Sequence, residues 1–153
     1  MAVFDKIEKI LNTVIILILT LMVIFVFSQV IARYVLGRPL RWSGEVSRHL
    51  MIWLVFIGSA VTFRNDGHLS IDILEKKLEG LKKKILRLLF LVIISVFLIF
   101  MIYYGFHHSI NVHSQIASAG RYPMSYVYSS IPVGGFFMFL FAIEKFIKIF
   151  KSD

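Results

Sequence analysis

Residues Tyr34–Asp72 have the sequence YVLGRPLRWSGEVSRHLMIWLVFIGSAVTFRNDGHLSID, in which a charged start leads into an apolar run and then a polar end. Arginines, a tryptophan and Glu45 precede the apolar run Leu50–Phe63, and the polar residues Arg64–His68 follow it. A helix that begins near Ser43 reaches the roughly 20 residues that a bilayer crossing requires. This stretch therefore predicts one membrane helix together with both of its interfaces.

The composition of the whole chain of 153 residues is that of a membrane protein. Charged residues make up 17% of the chain and hydrophobic residues 58%, whereas a soluble domain carries about 25% charged residues. Further apolar runs lie before and after the central one. We predict an all-α membrane protein that forms a single integral membrane domain over residues 1–153, with four transmembrane helices at about 10–36, 43–63, 86–108 and 125–145.

The first apolar run is longer than the core of a cleavable signal peptide, and no small-residue cleavage site ends it, so we expect it to be retained as a helix. The chain has no cysteine and therefore no disulfide or thiolate metal site. Its net charge of +8 is carried beside the apolar runs, where basic residues set orientation and contact anionic lipid. We expect membrane lipids, and no nucleic acid, as partners.

Residues 72–84 predict an amphipathic helix that lies on the membrane surface between helices 2 and 3. Leu74, Leu78 and Leu81 recur at helical spacing, and lysines occupy the other faces. Earlier in the chain, Gly37 and Pro39 predict the end of helix 1.

The start of helix 2 carries the densest charge pattern of the chain. Ser43 is a plausible N-cap, and Glu45 has the spacing for an ion pair with Arg41 or with Arg48 on one helix face. Two interpretations of this charge pattern remain open. It is either a solvated helix start at the interface or a docking surface for a partner protein.

Lysine and arginine placement predicts the orientation. Most of these residues lie before helix 1, between helices 2 and 3, and after helix 4, so the positive-inside rule places both termini in the cytoplasm. The arginines between residues 33 and 48 then lie on the outer face, against the rule. A partner protein on that face would account for them.

None of the nine acidic residues lies near the centre of a predicted span. A pump or coupled transporter usually needs ionisable groups or broken helices there. We therefore interpret the chain as a membrane scaffold or accessory subunit, and not as an enzyme. An alternative is a haem-binding or structural membrane-anchor subunit of a respiratory complex, because His49 and the pair His107 and His108 fall on the same side. Interfacial histidines also hydrogen-bond headgroups, water or partners, and we expect no cofactor.

Five motifs carry a resemblance to a known family. They are RYVLG at 33–37, WSGE at 42–45, FIGSA at 56–60 after Trp53, RNDGHLSID at 64–72 and YSSIPVG at 128–134. Together they resemble the DctQ-like small membrane subunits of tripartite ATP-independent periplasmic (TRAP) transporters. Gly44 stands where that family often has an acidic residue.

The resemblance implies a four-helix subunit in a heterodimer with a large membrane subunit that carries the sodium and substrate sites. It also implies a periplasmic substrate-binding protein as a third component. The implied function is sodium-coupled uptake of an organic anion, such as a C4-dicarboxylate or sialic acid.

Two protein-facing surfaces follow from the residues and the resemblance together, while much of helix 3 is expected to face lipid. The expected interface with the large subunit comprises Gln29, Arg33, Tyr34, Trp53, Gly58, Ser59, Pro132 and Gly134. The expected docking surface on the outer face comprises Arg38, Arg41, Glu45, Arg48 and Arg121.

Overall fold

The structure is a computed structural model that describes residues 2–38, 40–65 and 81–151, apart from the side chains of residues 41 and 81. Every regular element in these ranges is a helix, which confirms the all-α prediction. The helices are α1 (Ala2–Tyr34), α2 (Arg41–Arg64), α3 (Leu81–Asn111), the short α4 (Ser125–Tyr128) and α5 (Ser130–Lys151).

Three helical segments of the described chain are long and apolar enough to cross a membrane, namely Ala2–Tyr34, Trp42–Arg64 and Lys82–Asn111. The predicted fourth span, 125–145, is helical but is divided between α4 and α5 and is not one of these three. Of the predicted surface helix 72–84, residues 72–80 lie outside the described ranges, and residues 81–84 begin α3.

The helices extend beyond their predicted limits where charged residues continue the helical pattern. Helix α1 begins at Ala2 rather than at residue 10. It stops at Tyr34, where Gly37 has a φ of 63° and the Arg38 N–H donates to the carbonyl of Ala32 at 3.1 Å. Gly37 in the left-handed region ends the helix as glycines at C-termini do, so its predicted role is confirmed. Pro39, the other predicted stop, lies outside the described residues.

Ser43 does not cap α2, because that helix begins at Arg41 and no side chain caps it. The Ser43 side chain is fully buried, and its hydroxyl donates to the carbonyl of Phe25 in α1 at 2.7 Å. Beside it, a Cβ at Gly44 would lie 3.0 Å from the Gln29 side-chain oxygen. Small residues at the start of α2 therefore serve close packing against α1.

The order of the helices in space differs from their order in the chain. The extensive contacts within the described chain pair α1 with α2, α2 with α5, and α5 with α3. Helices α1 and α3 thus lie on the two flanks, and both expose large apolar side chains. Examples are Leu17, Val23 and Phe27 on α1 and Phe97, Tyr103 and Phe106 on α3.

Glycines of α5 allow it to fit between α2 and α3. A Cβ added to Gly134 would lie 2.6 Å from the Cβ of Phe56 and 2.9 Å from the Phe56 carbonyl oxygen, both in α2. A Cβ added to Gly135 would lie 2.8 Å from the terminal methyl carbon of Met101 in α3. Since all three distances are shorter than ordinary contacts, neither position accepts a larger residue without movement.

Candidate functional site

The bundle has a polar cluster at each end, and the first is centred on Arg64 at the last turn of α2. Its guanidinium binds Glu144 of α5 with two bonds, from Nε at 2.7 Å and from Nη2 at 3.0 Å. It also binds Asp5 and Glu8 of α1, and Lys148 adds a bond to Glu144 at 2.9 Å. We call these five residues the Arg64 cluster.

The Arg64 cluster joins three helices around a central pair, Arg64 and Glu144, that is largely removed from solvent. The side chain of Arg64 is 8% exposed and that of Glu144 is 2% exposed. A planar guanidinium with five N–H donors suits such a junction, because it can engage several carboxylates at once. The sequence patterns did not predict this junction. Asp5 and Glu8, three apart at the start of α1, were the only local signal for it.

The second cluster lies at the opposite end, where Glu45 of α2 meets the loop after α3. Its carboxylate accepts three consecutive backbone N–H groups, from Ser118 at 3.0 Å, Ala119 at 2.6 Å and Gly120 at 2.9 Å. The sequence predicted an ion pair of Glu45 with Arg41 or Arg48. Arg48 donates from Nε to the carbonyl of Gly44 at 3.4 Å, whereas the side chain of Arg41 lies outside the described part, so its pairing with Glu45 stays a prediction. The loop supplies partners for Glu45 that the spacing did not indicate.

A second contact joins the same loop to α2. The Nδ1 atom of His49 and the hydroxyl of Tyr122 share a hydrogen bond, and their rings meet edge to face with centroids 5.6 Å apart. Burial raises the pKa of the Tyr122 phenol, and the Glu45 carboxylate raises it further. Tyr122 therefore stays protonated at neutral pH and can keep this bond.

The predicted docking residues divide between exposed and engaged side chains. Arg38, Arg48 and Arg121 are exposed, whereas Glu45 is half-buried and bound by the loop. Arg121 has a φ of 54°, in the left-handed region that non-glycine residues rarely adopt. The structure therefore leaves arginines facing outward at this end.

The residues predicted for the large-subunit interface do not form one surface. Pro132 and Gly134 are buried within this chain, and Gln29 packs against Gly44. Trp53 donates its indole N–H to the carbonyl of Tyr126 at 3.0 Å. The remaining four, Arg33, Tyr34, Gly58 and Ser59, are exposed or half-buried. Contact of any of these residues with a second subunit stays a prediction.

The histidines that suggested a haem site have other neighbours in the structure. His49 meets Tyr122, and His108 meets Tyr128 edge to face with centroids 4.8 Å apart. His107 lines an apolar groove of about 570 Å³ between α3 and α5. Among the residues that the structure describes, no group of three or more His, Asp or Glu side chains is arranged to hold a metal ion.

Comparison with known proteins found similarity to transporter subunits. A putative TRAP transporter small permease protein of Haemophilus influenzae is 38% identical over 81 residues, which are 53% of this chain and 50% of that protein. The sialic acid TRAP transporter small permease protein SiaQ of Vibrio cholerae is 28% identical over 125 residues, which are 80% of this chain and 71% of that protein. The chain thus spans about half the length of the first relative.

A larger protein also contains a similar stretch. The sialic acid TRAP transporter permease protein SiaT of Haemophilus influenzae is 23% identical over 125 residues, which are 82% of this chain but 20% of that protein. Residues 22–152 match the family described as tripartite ATP-independent periplasmic transporters, DctQ component. Because the match extends from the middle of α1 to beyond the end of α5, this multi-pass membrane chain belongs to the DctQ family of TRAP transporter small permease subunits.

Proposed function

We propose that this chain braces a large TRAP permease in the bacterial inner membrane and helps it receive a periplasmic substrate-binding protein. The observation that carries the proposal is that the buried charges of this chain pair with one another. Arg64 and Glu144 neutralise each other and join α1, α2 and α5. Ionisable groups occupied in this way do not bind a solute or a coupling ion, so transport itself falls to another polypeptide.

The similarity to SiaT supports a large permease as that polypeptide. A stretch similar to this chain makes up one fifth of SiaT. By analogy with this arrangement, we propose that the chain forms a heterodimer with a large permease subunit that performs the transport.

One face of α2 is suited to contact with the large subunit. Met51, Val55, Gly58 and Thr62 recur at helical spacing and are exposed, except for the half-buried Gly58. A Cβ added to Gly58 would meet nothing within 4 Å. Small residues allow helices to approach closely in lipid, so we place the centre of the interface at Gly58, with Ser59 beside it.

The docking part of the proposal rests on exposed arginines at the Glu45 end. Arg38, Arg48 and Arg121 project from different parts of the chain at this end. Basic side chains there favour an acidic partner surface and speed its approach. We propose that this end faces the periplasm, with both termini cytoplasmic and with α4 and α5 completing a fourth crossing.

The substrate and the driving ion are part of the proposal and are tested with it. We propose sodium-coupled uptake of an organic anion such as sialic acid or a C4-dicarboxylate. The test reconstitutes this chain, the large permease with which it co-purifies, and the substrate-binding protein into liposomes. Uptake of radiolabelled candidates is then measured with an inward sodium gradient.

We expect uptake when both membrane chains and the binding protein are present, and none from liposomes that contain this chain alone. Uptake by this chain alone would contradict the bracing role, as would full uptake after its omission from the complex. Unchanged uptake after potassium replaces sodium would reject sodium coupling and leave the bracing role standing.

A further inference from the structure

Residues 115–124, between α3 and α4, form a short antiparallel hairpin. The Ala117 N–H donates to the Tyr122 carbonyl at 2.9 Å, and the Met124 N–H donates to the Gln115 carbonyl at 2.8 Å. Residues 118–121 form its tip. We call residues 115–124 the outer hairpin.

The tip of the outer hairpin holds a backbone conformation that its own sequence does not favour. Arg121 has a φ of 54° although it has a side chain. A Cβ at Gly120 would lie 2.2 Å from a ring carbon of Tyr122, so this position requires glycine. A strained backbone conformation persists where the surrounding contacts hold it in place.

Glu45 supplies those contacts. Three consecutive N–H groups of the tip converge on its two carboxylate oxygens, an arrangement that binds anions in many proteins. Bonds from N–H groups to a carboxylate are stronger than those between neutral groups. Here the anion belongs to the protein itself, and it comes from a rigid helix 73 residues away in the chain.

We propose that Glu45 is a positioning residue, which holds the outer hairpin so that Arg121 is presented to an acidic surface of the substrate-binding protein. This inference rests on the docking role proposed above and adds how the surface is prepared. The Glu45 carboxylate is directed into the hairpin, while Arg38, Arg48 and Arg121 remain exposed. A surface fixed before encounter avoids the cost of ordering a loop during association.

The first test measures the hairpin itself in the full transporter complex in liposomes. The chain has no cysteine, so Ser118→Cys gives it a single attachment point for a nitroxide spin label on an exposed side chain, and the chain is labelled before the complex is assembled. We expect an immobilised label with Glu45 and a mobile label in Glu45→Gln and Glu45→Ala. Asp5→Asn, an acid-to-amide change at the other end, should leave the spectrum unchanged.

The second test measures docking, with the transporter's own substrate-loaded binding protein as the varied component of the uptake assay. In Glu45→Gln, the KM for the binding protein should rise about tenfold at an unchanged maximal rate. The reason is that the hairpin must then be ordered when the binding protein associates. Arg121→Asn should raise the same KM. Asparagine tolerates a positive φ, so this variant removes the charge and keeps the backbone.

The outcomes separate the positioning role from the docking role. An immobilised label in both Glu45 variants would overturn the inference, whatever happens to uptake. The inference would also be overturned if Glu45→Gln gave a mobile label and an unchanged KM while Arg121→Asn raised the KM. An unchanged KM in both Arg121→Asn and Glu45→Gln would instead reject docking at this surface. Membrane insertion of each variant is checked by its co-purification with the large permease.

Discussion

Arg64 shows how one side chain can determine the relative positions of several helices. Its guanidinium reaches carboxylates on α1 and α5 from the last turn of α2. A lysine offers three donors on a compact ammonium and cannot reproduce a bidentate contact to Glu144 in addition to two further contacts. The Arg64 cluster is therefore a structural junction that depends on arginine in particular.

Replacement of Arg64 by methionine should destabilise the chain by about 3 kcal/mol, because it leaves Glu144 buried without its main partner. The measurement is the loss of helical circular dichroism on heating or on titration with denaturant in detergent. The double variant Arg64→Met with Glu144→Met should recover part of this loss, since no buried carboxylate remains.

Lys148→Met serves as the control for this prediction. Lys148 is about half-exposed and supplies one further bond to Glu144, so its removal should change the unfolding midpoint far less. Equal losses from Arg64→Met and Lys148→Met would show that the guanidinium has no special role in the cluster.

The sequence could not predict either polar cluster in full. Glu144 is one of the acidic residues that lie away from the centre of a predicted span, but its principal partner lies 80 residues earlier in the chain. Glu45 has correctly spaced arginines on its own helix, yet the partners that the described residues supply are backbone groups. The sequence does not indicate which backbone N–H groups will bind a carboxylate. The loop conformation that aligns these groups on Glu45 depends on one glycine and one strained arginine.

Helices, by contrast, followed closely from composition. The apolar runs predicted α1, α2 and α3, because a long uncharged stretch satisfies its backbone groups in lipid only as a helix. Their ends were less predictable. Residues 2–9 continue α1 with charged side chains, and two of these, Asp5 and Glu8, bind Arg64. The contacts of α5 with both α2 and α3 depend on tertiary packing that apolar runs do not encode.

Two glycines in different surroundings test this packing. Gly134→Ala should destabilise the isolated chain by about 1–3 kcal/mol, because the added methyl group would meet the backbone of α2. Gly58→Ala should not lower the stability of the isolated chain, since the position is open and alanine favours a helix more than glycine does. Thermal unfolding of both variants in detergent provides the comparison.

A larger change at Gly58 extends the test to the partner. Gly58→Leu should fold normally but co-purify with less of the large permease, because the side chain would hold the two subunits apart. Undiminished co-purification would move the proposed interface away from α2. A loss of stability in isolated Gly58→Ala would contradict the open surroundings of this glycine.

The molecule as a whole has two unlike ends. The Arg64 end includes both termini of the described chain, whereas the Glu45 end presents exposed arginines and the outer hairpin. From the positive-inside rule we propose that the first end faces the cytoplasm.

Cysteine labelling in spheroplasts tests this orientation. A membrane-impermeant maleimide should label Ser114→Cys in intact spheroplasts, because this exposed residue lies at the Glu45 end. Ala2→Cys and Lys151→Cys should react only after the membrane is permeabilised. The cysteine-free parent chain gives the background, and the reverse labelling pattern would refute the orientation.

The placement of α5 between α2 and α3 has a consequence for biogenesis. The ribosome synthesises α3 before α5, the helix on which α3 packs. During synthesis α3 therefore lies in the lipid without its neighbour, whereas α1 and α2 can already pair. The bundle closes only when the C-terminal segment arrives. Truncation before residue 130 should therefore leave a nascent chain whose third helix is exposed to quality-control proteases, whereas a missing N-terminal turn would leave this last step intact.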